Sequence, residues 1–149
     1  MNHKPLKPKL LAVLVLIGGT LLAACSPTAP AEPVAEGGPA TVEYTLKTAS
    51  EGGQLLFIGV GGEIDDQVNP DLTARVGDSV AITLVNDDGR FHDVVITEFD
   101  AATSVFGELG QEETVTFVAD QAGTFFYFCS VGGHRQAGME GQMIVADGE

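Results

Sequence analysis

The chain has 149 residues, 44% of them hydrophobic, no Trp, and a formal net charge of −14 from 7 basic and 21 acidic residues. That length suits one domain after any processing, and that charge repels phosphate backbones and anionic headgroups, which excludes nucleic acid as a partner. Two cysteines, Cys25 and Cys129, exclude a disulfide framework unless they pair with each other, and each has a separate role below.

The first ten residues hold Lys4, Lys7 and Lys9, and Leu10 to Leu22 is almost wholly apolar. A basic start followed by a short apolar run predicts a secretory signal over residues 1–24. The run is shorter than the roughly 20 residues a helix needs to cross a bilayer. The cut falls in Leu22-Ala23-Ala24-Cys25, which resembles the bacterial lipobox. That resemblance implies that Cys25 becomes the lipidated N-terminus; a plain secretory cut at the same place is the alternative. Acyl chains bind membrane by about 0.8 kcal/mol per buried CH₂, so several hold firmly. Without residues 1–24, Lys47, Arg75, Arg90 and Arg135 face all 21 acids, a balance of −17. Such a surface suits basic partners, although solubility alone explains it equally well. Residues 25–40 form a Pro-, Ala- and Gly-rich linker behind Cys25, too poor in large apolar groups to order itself, and read as a tether.

From Thr41 the pattern turns to period two, with Val42, Tyr44 and Leu46 on one face. Strands are predicted over Thr41–Thr48, Gln54–Val60, Val80–Asn86, His92–Thr97, Glu113–Ala119, Thr124–Cys129 and Gln142–Ala146, with turns at Val76-Gly77-Asp78-Ser79 and Asp87-Asp88-Gly89. Many short strands, Gly-rich turns and no long 3.6-residue period predict an all-β sandwich over 41–149. Gly59-Val60-Gly61-Gly62 reads as a turn, because no Lys-Ser/Thr follows to make a phosphate loop. Residues 98–112 carry no clear pattern and fit either a short helix or an irregular loop.

The aromatic run Phe125-Phe126-Tyr127-Phe128 reads as a buried strand and leads into Cys129, His134 and Met139 at a Cys-x4-His-x4-Met spacing. Taken singly, each has a plainer reading: a buried Cys, a surface His, a core Met. Together they place a thiolate, an imidazole and a thioether on one tight loop. His92, which opens a predicted strand, adds a second imidazole and completes the trigonal two-imidazole, one-thiolate set with a weak axial Met that is diagnostic of blue copper. Zinc on the thiolate and both imidazoles is the other metal reading. The chain has three histidines, and the third, His3, lies in the signal, so no imidazole remains for a second, catalytic copper.

Val76-Gly77-Asp78-Ser79-Val80, Leu84-Val85-Asn86 and His92, followed by Tyr127-Phe128-Cys129, His134, Met139 and Gly141, resemble the two ligand halves of the cupredoxins, the plastocyanin and azurin superfamily. Ile58-Gly59-Val60-Gly61-Gly62-Glu63-Ile64-Asp65, Asn69-Pro70 and Gly133-His134-Arg135-Gln136-Ala137-Gly138-Met139 are similar to the type 1 copper domains associated with copper nitrite reductases. The resemblance covers about Thr41 to Glu149. It implies a Greek-key β-sandwich, one copper on His92, Cys129, His134 and Met139, and a monomeric one-electron carrier; the signal and lipobox readings add that it is exported and anchored through Cys25 to the cell membrane, facing the periplasm or exterior. It also implies redox protein partners with a basic docking face, reached through the edge of His134 beside Val131, Gly132, Gly133 and Ala137. An electron-donating accessory domain of a nitrite reductase or oxidase system, and a copper store, are the alternatives. Two positions depart from the family pattern. Asp93 stands where Asn is common; its carboxylate is expected to accept a hydrogen bond from Ser130, and its charge near the thiolate to favour Cu(II) and lower the potential. Gly132-Gly133 stands where Pro-Gly is common, which loosens the loop by roughly 0.4–1 kcal/mol.

Overall fold

The computed structural model describes residues 38–148. The signal segment, Cys25 and most of the predicted linker lie outside the described residues. Nine strands follow in order: β1 (Thr41–Glu51), β2 (Gln54–Val60), β3 (Leu72–Arg75), β4 (Ser79–Val85), β5 (Val95–Ile96), β6 (Ala101–Ala102), β7 (Glu112–Val118), β8 (Gly123–Phe128) and β9 (Glu140–Ala146). They form two sheets, ordered β2-β1-β4-β7 and β3-β9-β8-β5-β6.

Strict alternation in Ser-Val-Ala-Ile-Thr-Leu-Val makes β4 the spine of the first sheet. Val80, Ile82 and Leu84 are fully buried, while the residues between them are only half-covered. A period of two puts every second side chain on one face. The flanking registers reinforce it: Val80 opposes Phe117 and Ile82 opposes Val115 on antiparallel β7, and Tyr44 opposes Ile82 on parallel β1. Leu72, Met143, Val145 and Tyr127 bury against this face from the second sheet. At the Val76–Ser79 turn the Asp78 carboxylate accepts N–H bonds from Ala40 at 2.8 Å and Arg75 at 2.9 Å. Those two donors hold its pKa below the usual carboxylate value.

Besides β3, for which no strand is predicted, three segments differ from the sequence expectation. The strand predicted over His92–Thr97 shrinks to Val95–Ile96, because its first residues bond elsewhere. His92 pairs only with Phe106 in an isolated bridge, and the Val94 N–H donates to the Thr103 hydroxyl at 3.1 Å. Residues 98–112 hold a short 3-10 turn at Thr97–Phe99, the two-residue β6 and the Phe106 bridge, with no α-helix. The aromatic strand is buried at one residue only. Tyr127 is fully enclosed, whereas Phe126 is 42% exposed. Phe126 and Phe128 point to the outer face, where the Arg135 guanidinium lies 4.0 Å over the Phe128 ring.

Candidate metal centre

β8 delivers Cys129 one residue past its end, and the Cys129 N–H donates to the Met139 carbonyl at 3.1 Å. Between them the loop winds on itself. The His134 N–H reaches the Val131 carbonyl at 3.0 Å, and the Met139 N–H reaches the His134 carbonyl at 3.1 Å. Gly133 (φ 86) and Gly138 (φ 107) occupy the left-handed region that this winding requires. The loop is also tied to β2. Leu55 N–H donates to Ala137 O at 3.1 Å, and Asn69 bridges the two by accepting from Phe57 N–H at 3.0 Å and donating to Gly138 O at 2.8 Å. The sequence reading assigned Asn69 no part in the site. Its signal was an Asn preceding Pro70, and its partners lie 12 and 69 residues away.

His92 arrives from the opposite ligand segment. Asn86, wholly buried at the end of β4, accepts from Gly89 N–H at 2.8 Å and donates to Arg90 O at 2.7 Å, which fixes the turn before His92. Asp93 joins the two segments. Its carboxylate accepts the Ser130 N–H at 2.6 Å and the Ser130 hydroxyl as well.

The result is one cluster. The ligating atoms of His92, Cys129 and His134 lie within 4.8 Å of one another. Cys129 Sγ stands 3.8 Å from His92 Nδ1 and 3.4 Å from His134 Nδ1. Metal–ligand bonds of about 2.0 Å to nitrogen and about 2.3 Å to sulfur, opened at roughly 110–120°, separate N from S by about 3.5–3.7 Å. The observed separations bracket that value, so the donors already stand where a single ion would draw them. His92 Nε2 lies 3.0 Å from Asp88 Oδ1, within reach for an ionised carboxylate to accept a ring proton; the tautomer that makes this bond leaves Nδ1 as a lone pair facing the sulfur. Met139 is fully buried directly after this loop.

The electrostatics favour neutral donors. Burial pushes the Cys129 thiol up to about 11, against the opposing pull of the Asp93 and Val131 N–H groups. Burial, then His92 and Arg90, lower the His134 pKa, so its ring is neutral at neutral pH. A soft cation binding here displaces the thiol proton, which is the usual coupling of metal affinity to pH. Among the described residues, one buried side-chain oxygen lacks a hydrogen-bond partner, Asp88 Oδ2 beside His92. Its negative charge suits a cation in the cluster.

Residues 99–149 match a multicopper oxidase family model. The chain is 30% identical over 136 residues to the copper-containing nitrite reductase of Pseudomonas chlororaphis, covering 78% of this chain and 36% of that one. It thus spans about a third of that relative's length. The solved copper nitrite reductase of Nitrosomonas europaea superposes with a TM-score of 0.56 at 25% identity, over 72% of this chain and 42% of that one. Auracyanin A, a blue copper protein from Chloroflexus aurantiacus, superposes with a TM-score of 0.53 at 18% identity, over 70% of this chain and 98% of that one.

Proposed function

We propose that this chain, a cupredoxin with a type 1 copper site, is a one-electron carrier rather than an enzyme. The observation that carries the reading is the convergence of His92, Cys129 and His134 within 4.8 Å, which commits both histidines of the described residues to one ion. Copper, when bound, supplies a Cu(I)/Cu(II) couple that thiolate and imidazole ligands both tolerate. The protein's part is to hold the ligands still. The Asp93–Ser130 bonds and the Asn69 bridge restrain the two ligand segments, so the donor set changes little as the ion's charge changes. His134 is half-buried beside exposed Gly132 and Gly133, whose lack of side chains lets a partner come close. Met139, buried directly after the loop, would supply the weak thioether donor.

An electron-donating domain within a nitrite reductase or oxidase system is the second reading, favoured by the 30% identity to the Pseudomonas enzyme. In either case the partner is a redox protein with a basic docking face, drawn by the acidic surface and then seated on the His134 edge. Electrostatics of this kind act on the association rate more than on affinity. The copper-loaded protein is expected to show an intense thiolate-to-copper visible band that ascorbate bleaches. Its stopped-flow electron transfer to a basic redox protein should slow as salt shortens the Debye length from about 30 Å at 0.01 M to about 10 Å at 0.1 M. A colourless Cu(II)-loaded protein would sink the reading; turnover of nitrite by the chain alone would move it to the enzyme class.

The first 25 residues support a reading of the location. We propose export, removal of residues 1–24 and lipidation of Cys25, leaving the domain tethered to the membrane and facing the periplasm or exterior. Intact-mass measurement of the membrane-fraction protein should show the acyl mass on Cys25 and its loss in Cys25→Ala. An unmodified Cys25, or retained residues 1–24, would refute the anchor.

A further inference from the structure

Asp88 lies four residues before His92, at the outer end of the turn that Asn86 ties down. The Arg90 N–H bonds its Oδ1 at 3.0 Å, and His92 Nε2 meets the same oxygen at 3.0 Å. His92 is 0% exposed and the Asp88 side chain 11% exposed, so bulk water cannot replace this contact. A buried imidazole needs a partner for its N–H. A backbone carbonyl would meet that need without introducing charge. This site instead uses a carboxylate, and leaves its second oxygen buried with no hydrogen-bond partner. A buried anionic oxygen without a partner is costly unless a positive charge stands nearby. The Thr48 hydroxyl also acts on this carboxylate, and the Arg90 charge reaches as far as His134; a cation across the His92 ring would add the close positive charge that Oδ2 lacks.

We propose that Asp88 is the positioning residue of the His92 ligand, pinning the ring proton on Nε2 so that Nδ1 binds the metal, and biasing the site toward Cu(II) through its charge. This rests on the copper reading above. The carboxylate draws the Nε2 proton toward itself, which makes the opposite nitrogen a better donor. The more highly charged ion gains more from that donor and from the anion behind it. Asp88 therefore sets the site's potential lower than the four ligands alone would set it. Asp93 ties the ligand loops and acts by its charge on Cys129, whereas Asp88 polarises the His92 ring.

Three variants and one metal-free measurement test this. In wild-type apoprotein, nitrogen NMR of His92 should show the Nε2–H tautomer, whether or not any variant folds. Asp88→Asn keeps a hydrogen-bond acceptor but loses the charge. It should retain the visible band while the Cu(II)/Cu(I) affinity ratio falls about tenfold, a rise of about 59 mV for a one-electron couple. Asp88→Ala loses both and should weaken Cu(II) binding about 10–100-fold. Asp87→Asn removes the same charge from the neighbouring, exposed acid, which pairs with Lys47 at 3.8 Å, and should change the ratio less than twofold. An Nδ1–H tautomer in the apoprotein, or an Asp88→Asn protein indistinguishable in potential from Asp87→Asn, overturns the proposal. If the wild type gives a band and only the Asp88 arms fail, the copper reading stands; if the wild type gives no band, both fall.

Discussion

Cys129→Ser is expected to abolish the visible band and to weaken Cu(II) binding by at least about 100-fold, beyond the range seen when a ligand merely loses a supporting hydrogen bond. A hydroxyl in place of Sγ is a hard, neutral donor that does not ionise at neutral pH, so the one soft anion is gone and two imidazoles remain. The fold should survive, because Ser fits the space and the Cys129 N–H keeps its bond to Met139 O. The same thiol yields a second readout without metal. Burial raises its pKa from 9.0 to about 11, so the folded apoprotein favours the protonated thiol more than the unfolded chain does. That stability is present below about pH 9 and is lost as pH rises toward about 11, an amount of roughly 2–3 kcal/mol. Denaturant titrations of wild-type apoprotein across that window should show the loss, and Cys129→Ser should lack it. A Ser variant that stays coloured would remove Cys129 from the site.

Gly141→Ala is expected to cost about 3 kcal/mol and roughly 10 °C in Tm. Gly141 lies opposite Tyr127 across the β8–β9 ladder. A Cβ at Gly141 would overlap the Tyr127 ring at Cζ and Oη and stand 2.6 Å from Cε1. The ring has nowhere to go. It is 0% exposed, its hydroxyl donates to Pro70 O at 2.7 Å, and its face tilts against Phe57 at 5.4 Å between centroids. Relief therefore requires moving a strand two residues from Cys129. A thermal melt of the metal-free protein measures the loss apart from any effect of copper, and a Tm within about 2 °C of wild type would show that the ring repacks freely.

Much of this site was legible in the chain because it is local. Cys129, His134 and Met139 fall within eleven residues, and a thiolate, imidazole and thioether on one loop restrict the chemistry before any fold is known. The longer strands were legible for the same reason. A two-residue period such as that of Ser79–Val85 is a property of consecutive side chains, and one buried face enforces it.

Only the tertiary structure decided which distant groups meet. The four-residue β3 exists because it pairs in parallel with β9, about 70 residues later, and a segment that short carries no periodic signal of its own. The sequence predicts His92 at the start of a strand, yet it is held by a side-chain-tied turn, since its neighbours spend their bonds on Ser130 and Thr103. The aromatic run looked uniformly apolar, and the sheet split it into a buried Tyr127 and an outer pair covered by Arg135. Asp88 and Asn69 looked like ordinary turn residues. One became the partner of the His92 ring and the other a bridge from β2 to the Cys129–Met139 loop, because composition determines what a side chain can bond, whereas only the folded chain determines which partner lies within 3 Å.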